Sequence, residues 1–267
     1  MGCGFIGASI AKFIDENLKD TMELRFVYDE IRDRAEQLSG SLRTTPQVAD
    51  TSDAIIMDRG IGLIIEAATQ DAVRANVPKA LRAGKNVLIM SVGALTDPKL
   101  YQEVTSIARE KGLRVFIPSG AIGGLDWIKA AAQAGLERVM ITVRKPPAGL
   151  DSSPYVIKNR IDVHSLKEPT QIYEGPALDA ASAFPANVNV AVALALAGIG
   201  MEKTMVRVVA DPTSKQNVHE IMAEGAAGKI TVRVENFPAP TNPKTSWVAA
   251  LSAAQKLKGI VEPISLG

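Results

Sequence analysis

Gly2-Cys3-Gly4-Phe5-Ile6-Gly7 stands at the very start of the 267-residue chain, and its reading decides the fold. It fits G-x-G-x-x-G, and a helical pattern, Phe5 to Leu18, follows at once. Glycine is needed there because the turn is tight, because the backbone must approach a pyrophosphate closely, and because the helix must pack against its strand. The helix start adds unpaired N–H groups and a positive dipole end. Gly2, Gly4, Phe5, Ile6 and Gly7 are therefore the candidate phosphate-binding positions of a dinucleotide site. Tyr28-Asp29 closes the next strand about 20 residues on, where a ribose-binding carboxylate belongs. Asp29 also suits the cap of a helix from Glu30 onward, and the two roles are compatible. A carboxylate repels a 2′-phosphate and so favours NAD, whereas Arg32 and Arg34 close by leave NADP open.

Outward from the turn, two periodicities alternate. Leu24 to Tyr28, Gly62 to Ala67, Asn86 to Met90 and Leu113 to Ile117 are short apolar runs that read as strands buried on both faces. Asp71 to Ala83 and Pro98 to Glu110 are helical, each beginning near an Asp and reaching a glycine, Gly84 or Gly112, at its end. Ser39 to Asp58 reads only as loop plus a short element. The order implies an α/β domain with a Rossmann-type doubly wound parallel sheet and right-handed crossovers. One part of that sheet is apparently missing. A strand of ~5–6 residues should lead into the first glycine, and only Met1 precedes Gly2. Neighbouring strands would then lose a hydrogen-bonding partner. The expectation is that the sequence starts short of that strand, or that the sheet closes over the gap.

From about residue 135 the texture changes. Glu137 to Arg144 reads as a strand, followed by a Pro-, Gly- and Ser-rich loop from Lys145 to Pro154. Further strands are predicted at Thr170 to Glu174, Thr204 to Ala210, Asn217 to Ala223 and Lys229 to Asn236, the last two flanking a hairpin connection at Gly225 to Gly228. Val188 to Leu196 reads as a buried helix, and the amphipathic Ser246 to Lys258 closes the chain. The predicted organisation is a dinucleotide-binding domain over 1–118, completed by a C-terminal helix in 246–267, and an α+β substrate and dimerisation domain over 119–245.

Composition narrows the function classes. Lys and Arg number 30 against 29 Asp and Glu, so nothing electrostatic argues for nucleic acid or an acidic membrane surface. The longest apolar stretches fall short of the ~20 residues of a membrane helix, and no secretory leader is expected. With Cys3 the single cysteine, no intrachain disulfide is possible, and no His/Cys/Asp cluster has metal-ligand spacing. A soluble protein of a reducing compartment is the expectation.

Further segments carry a more specific likeness. Glu66-Ala67-Ala68-Thr69-Gln70, Ser91-Val92-Gly93-Ala94 and Ser119-Gly120-Ala121-Ile122-Gly123-Gly124-Leu125-Asp126 follow successive strands. Downstream stand Phe184-Pro185-Ala186-Asn187-Val188-Asn189-Val190-Ala191, Ala210-Asp211-Pro212, Asn217-Val218-His219-Glu220 and Asn242-Pro243-Lys244-Thr245-Ser246. Together these resemble the L-aspartate dehydrogenase family over essentially the whole chain. The resemblance implies NAD- or NADP-dependent oxidation of L-aspartate to iminoaspartate. The imine then hydrolyses to oxaloacetate and ammonia, or feeds NAD biosynthesis. It implies His219 as the catalytic residue, Ala121 and Asn189 or Asn187 as cofactor-binding positions, and a cytoplasmic homodimer. Ala67, Ala68, Ser91 and Gly93 are assigned to the cofactor as well. Alternatives are a homoserine-dehydrogenase-like or dihydrodipicolinate-reductase-like oxidoreductase of another small acidic substrate, and a non-catalytic dinucleotide-binding relative.

The residue chemistry is compatible. Hydride removal from the aspartate Cα needs a neutral amine, and imine hydrolysis needs further proton transfers. Histidine, with an ordinary pKa of ~6.5, serves as acid and base near neutrality. Of the two histidines, His219 lies in a strand between Val218 and Ile221, while His164 reads as surface. The backbone N–H groups of Ser119 and Gly120 suit a carboxylate or the nicotinamide amide, though the same segment also reads as a hinge. Asn187 and Asn189 equally suit helix caps. Lys244 is the candidate for a substrate carboxylate, ahead of Lys203 and Arg207.

Overall fold

The computed structural model describes residues 1–185, 188–240 and 242–264. They form two compact units, Met1–Pro118 with Ala249–Gly267, and Ser119–Val248. The first unit runs α1 (Phe5–Phe13, extended by a π-helical turn Ile14–Leu18), β1 (Phe26–Val27), α2 (Arg32–Ser41), β2 (Gln47–Val48), α3 (Ser52–Met57), β3 (Leu63–Glu66), α4 (Gln70–Arg82), β4 (Asn86–Ile89), α5 (Pro98–Lys111) and β5 (Val115–Phe116). All its strand pairs are parallel, β1 with β2, and β3 with β4 with β5. The parallel α/β reading is therefore correct.

Local chemistry sets the helix ends. Asp97 accepts from the Lys99 and Leu100 N–H groups ahead of Pro98, and Gly112 ends α5 in the left-handed region at φ 65°. In α4 the cap is Thr69, which accepts from the Ala72 N–H, and Asp71 instead occupies the first turn. The stretch from Ser39 to Asp58 holds more structure than its pattern suggests. It contains the end of α2, the two-residue β2, and α3, whose cap Thr51 accepts from the Ala54 N–H. Elements this short show no periodicity to read.

The two parallel ribbons are joined at one end by Met1 and Gly2. The Met1 amino nitrogen donates to Ile65 O at 2.9 Å. The Ala67 N–H donates to Met1 O at 2.9 Å, and the Gly2 N–H to Tyr28 O at 2.7 Å. Below this bridge a cavity of about 420 Å³ runs between Leu24–Phe26 and Leu63–Ile65. The sheet thus closes over the gap only at the end that carries the glycine turn.

Helix α1 is buried on two sides. Ile10, Ile14 and Leu18 pack with Leu88, Met90, Ala253 and Leu257, while Ala11 packs with Val27, Ala35, Leu38 and Leu42. Each fully buried aliphatic side chain contributes about 1.5–3 kcal/mol, so the turn ahead of α1 rests on a firm base.

The second unit contains α6 (Leu125–Ala132), β6 (Leu136–Lys145), α7 (Pro154–Lys158), β7 (Thr170–Pro176), α8 (Ala177–Ala183), α9 (Asn189–Ala197), β8 (Met205–Ala210), β9 (Asn217–Gly225) and β10 (Gly228–Asn236). A small hairpin of β11 (Pro238–Ala239) and β12 (Asn242–Ser246) follows. Helix α10 (Trp247–Val261) then runs from Ala249 within the first unit. The five-stranded sheet has the order β10-β9-β6-β8-β7, with only β6 and β8 parallel. Register sets Val139, Ile141 and Val143 opposite Ala223, Ile221 and His219, and Val234 opposite His219 on the other side. Alternation therefore puts His219 on the apolar face of the sheet. Among the described residues, no helix is long and apolar enough to cross a membrane.

Candidate active site

In the first unit the glycine turn meets each of its requirements at a different residue. Gly2 has φ 87°, and a Cβ there would lie 2.5 Å from Ala67 O. A Cβ on Gly7 would lie 1.9 Å from Gly2 O, so the helix packs onto the turn only through glycine. Gly4 caps α1 with no side-chain hydrogen bond, and a Cβ there would meet nothing within 4 Å. The space over Gly4 is what an approaching phosphate needs, and the first N–H groups of the helix, on Phe5, Ile6 and Gly7, have no intrahelical acceptor.

Asp29 stands beside this turn. Its carboxylate accepts from the Cys3 N–H at 2.7 Å and the Ile31 N–H at 2.9 Å. The carboxylate is thus fixed against the glycine turn rather than at the cap of α2, which is Ile31. Arg32, which left a 2′-phosphate open, is committed elsewhere, paired with Glu36 and Asp50.

Ala67, Ala68, Ser91 and Gly93 follow the carboxyl ends of β3 and β4, where ligands bind in open α/β sheets. The residue that shapes them escaped the sequence reading. Glu66 is 1 % exposed. Its carboxylate accepts from the Ala68 N–H (2.8 Å), the Ser91 hydroxyl (2.8 Å), the Ser91 N–H (3.0 Å) and the Met90 N–H (3.2 Å). One buried carboxylate thereby ties two loops together. The Ser91 hydroxyl is spent on that brace.

In the second unit, Ser119, Gly120 and Ala121 open the loop ahead of α6. Gly120 and Gly124 have φ 66° and 79°. The loop lies against α9 at Gly120, 3.5 Å from Val190 Cγ1 measured from an added Cβ, and against Val232 of β10 at Gly124. Asn189 is the first residue of α9, so the cap position falls on Val188 instead. Asn187 and the side chain of Lys244 lie outside the described residues.

His219 is 3 % exposed. Burial, reinforced by the cationic field of Lys145, pushes its pKa down to about 3. It is therefore neutral near pH 7, below the range in which a free imidazole exchanges protons. His164, by contrast, is at the surface beside Asp151. Lys145, at the end of β6, is itself 7 % exposed, and burial lowers its pKa to about 8. One further side chain joins the candidate residues. The Asn236 amide nitrogen donates to Ala121 O at 2.9 Å and lies 3.2 Å from His219 Nδ1. Its neighbour across the hairpin, Asn217, donates to Ser246 Oγ at 3.3 Å. Alternation along Val232, Val234 and Asn236 could have placed Asn236 on the His219 face. Its tie to Ala121 spans 115 residues and leaves no local signal.

Two family models match successive parts of the chain. Residues 2–118 match the family model of the homoserine dehydrogenase NAD-binding domain, and residues 126–260 that of the aspartate dehydrogenase C-terminal domain. The chain is 47% identical to an L-aspartate dehydrogenase of Methanosarcina acetivorans, covering 100% of this chain and 97% of the relative. It is 37% identical to an L-aspartate dehydrogenase of Bradyrhizobium diazoefficiens, covering 96% and 89%. Among solved structures, the aspartate dehydrogenase of Thermotoga maritima matches with TM-score 0.75 and 27% identity, over 100% of this chain and 97% of that one. A myo-inositol dehydrogenase of Lactobacillus casei, solved with NAD(H) and myo-inositol, has TM-score 0.61 at 13% identity, over 97% and 83%, and shares the fold alone.

Proposed function

The chain belongs to the aspartate dehydrogenase family, and from that premise we propose that it is an NAD(P)-dependent L-aspartate dehydrogenase, oxidising the amino diacid to iminoaspartate. The observation that carries the reading is full-length identity of 47% to a relative of that name. What a bound nicotinamide supplies is acceptance of the hydride from the substrate Cα. The residues present fit such a group, because the turn leaves open space over Gly4 and presents a helix N-terminus to the phosphates. Asp29 takes the adenosine ribose, which favours NAD over NADP, and Ala121 and Asn189 hold the nicotinamide end. Ala67, Ala68, Ser91 and Gly93 line the dinucleotide.

His219 is the proposed catalytic residue. A buried imidazole excludes water from its own lone pairs, so its hydrogen bonds to substrate are strong and directional. The carboxylate oxygens of aspartate are acceptors that a ring N–H can meet. Ser119 and Gly120 N–H groups and Lys244 are the proposed carboxylate contacts. Supply of iminoaspartate to NAD biosynthesis, a homodimeric assembly and a cytoplasmic location complete the proposal, and these rest on the family resemblance. The test is a panel of L-amino acids with NAD and NADP, following nicotinamide absorbance. Aspartate-dependent reduction supports the reading. Reduction with another amino acid or an alcohol, or binding without turnover, overturns it.

A further inference from the structure

The Asn236 amide has only one possible orientation. Ala121 O is a carbonyl and can only accept, so the amide group facing it at 2.9 Å is the NH₂. The same nitrogen lies 3.2 Å from His219 Nδ1. An NH₂ group only donates, so Nδ1 must offer its lone pair, and a neutral ring then carries its proton on Nε2. We propose that Asn236 is a positioning residue, which by spanning Ala121 O and His219 Nδ1 holds the imidazole as the Nε2–H tautomer, so that His219 meets the substrate as a donor from Nε2. The inference deepens the reading of His219 as catalytic and rests on it.

The surroundings act in the same direction. Protonating Nδ1 would set two donors face to face, which adds to the burial that already lowers the pKa to about 3. On the sheet face of His219, β6 contributes Val143 and the cationic Lys145, and β10 contributes Val234 and Asn236. Helix α6 packs against β9, and its charged residues Asp126 and Lys129 are exposed. Glu220 lies on the opposite face, paired with Arg233. No carboxylate therefore faces the ring from these elements to favour its cationic form. The acceptors that an amino diacid offers to an Nε2–H donor are its own carboxylate oxygens. Because the same amide grips Ala121, the clamp also fixes the ring relative to a proposed cofactor position.

The two histidines make the test direct. In ¹⁵N-histidine-labelled protein, with His164→Gln used for assignment, His219 should show a protonated Nε2 and a pyridine-like Nδ1, with no titration down to about pH 5. Asn236→Asp replaces the donor by an acceptor, so the ring should turn to the Nδ1–H tautomer and titrate at higher pH. Its kcat should fall roughly 10²–10⁴-fold, as for a catalytic histidine held in the wrong tautomer. Asn236→Leu should give mixed tautomers. A wild-type spectrum with Nδ1 protonated overturns the proposal without any variant. Variants that keep both the wild-type tautomer and the wild-type pH profile overturn it too. An Nε2–H spectrum in a protein that never turns over aspartate leaves the clamp standing and removes the proposed function instead.

Discussion

Replacing Glu66 by Ala removes the acceptor of four hydrogen bonds at the carboxyl ends of β3 and β4. The Met90 N–H keeps a partner, Glu66 O at 3.0 Å. Ala68 lies at the surface, so its N–H turns to water. The Ser91 N–H has no such escape at 8 % exposure, and an orphaned buried donor costs about 1–3 kcal/mol. The Ser91 hydroxyl and the Ala68 N–H each lose a bond to a charged acceptor, at about 1 kcal/mol or more apiece. The expected loss is about 3–5 kcal/mol, a large part of a typical 5–15 kcal/mol stability. Glu66→Leu does not escape it, although a buried charge has gone, because the stranded donor is main chain. Glu66→Gln retains one acceptor oxygen and should lose less than half as much. Urea denaturation reads the series as a fall in midpoint, Gln before Ala, accompanied by a raised KM for NAD. An Ala variant within about 1 kcal/mol of wild type would refute the idea that this carboxylate holds the two loops.

The glycine turn predicts a split between two substitutions. Gly7→Ala forces the turn open and should lower both stability and NAD affinity, whereas Gly4→Ala should leave the melting temperature unchanged and weaken NAD binding only. Asp29→Ser removes the carboxylate that repels a 2′-phosphate, so the NAD-to-NADP ratio of kcat/KM should fall by about tenfold or more. Steady-state kinetics with both cofactors checks it. The pH dependence of stability follows from His219. Its pKa is lowered from 6.5 to about 3 in the folded chain, so the unfolded state binds more protons between those values. Stability should therefore fall as pH drops through that window, by about 5 kcal/mol at most. Urea midpoints measured across it should decline less in His219→Leu than in wild type.

Most of the first unit could be read from its residues because its signals are local. Leu63–Glu66 and Asn86–Ile89 are strands built on the apolar runs Leu63 to Ile65 and Val87 to Ile89. Gly7 has its steric reason within the turn itself and Gly2 in Ala67 at the end of the adjacent strand, while Gly4 leaves the space over the turn open. The hairpin of β9 and β10 announced itself by alternation on either side of Gly225 and Gly228. What stayed hidden depends on contacts far apart in the chain. Glu66 gains its role from Ser91, and Asn236 from Ala121 and His219. The depressed pKa of His219 comes from burial and from Lys145, a residue that the sequence places at the start of a loop. Composition marks neither one.

The central claim is that His219 is the catalytic residue of aspartate oxidation. It is tested most directly by turnover of L-aspartate with NAD in His219→Ala, alongside a fluorescence titration of NADH. The expected result is a ~10²–10⁴-fold fall in kcat with NADH affinity changed by no more than about threefold. Turnover close to that of the unaltered enzyme would contradict it.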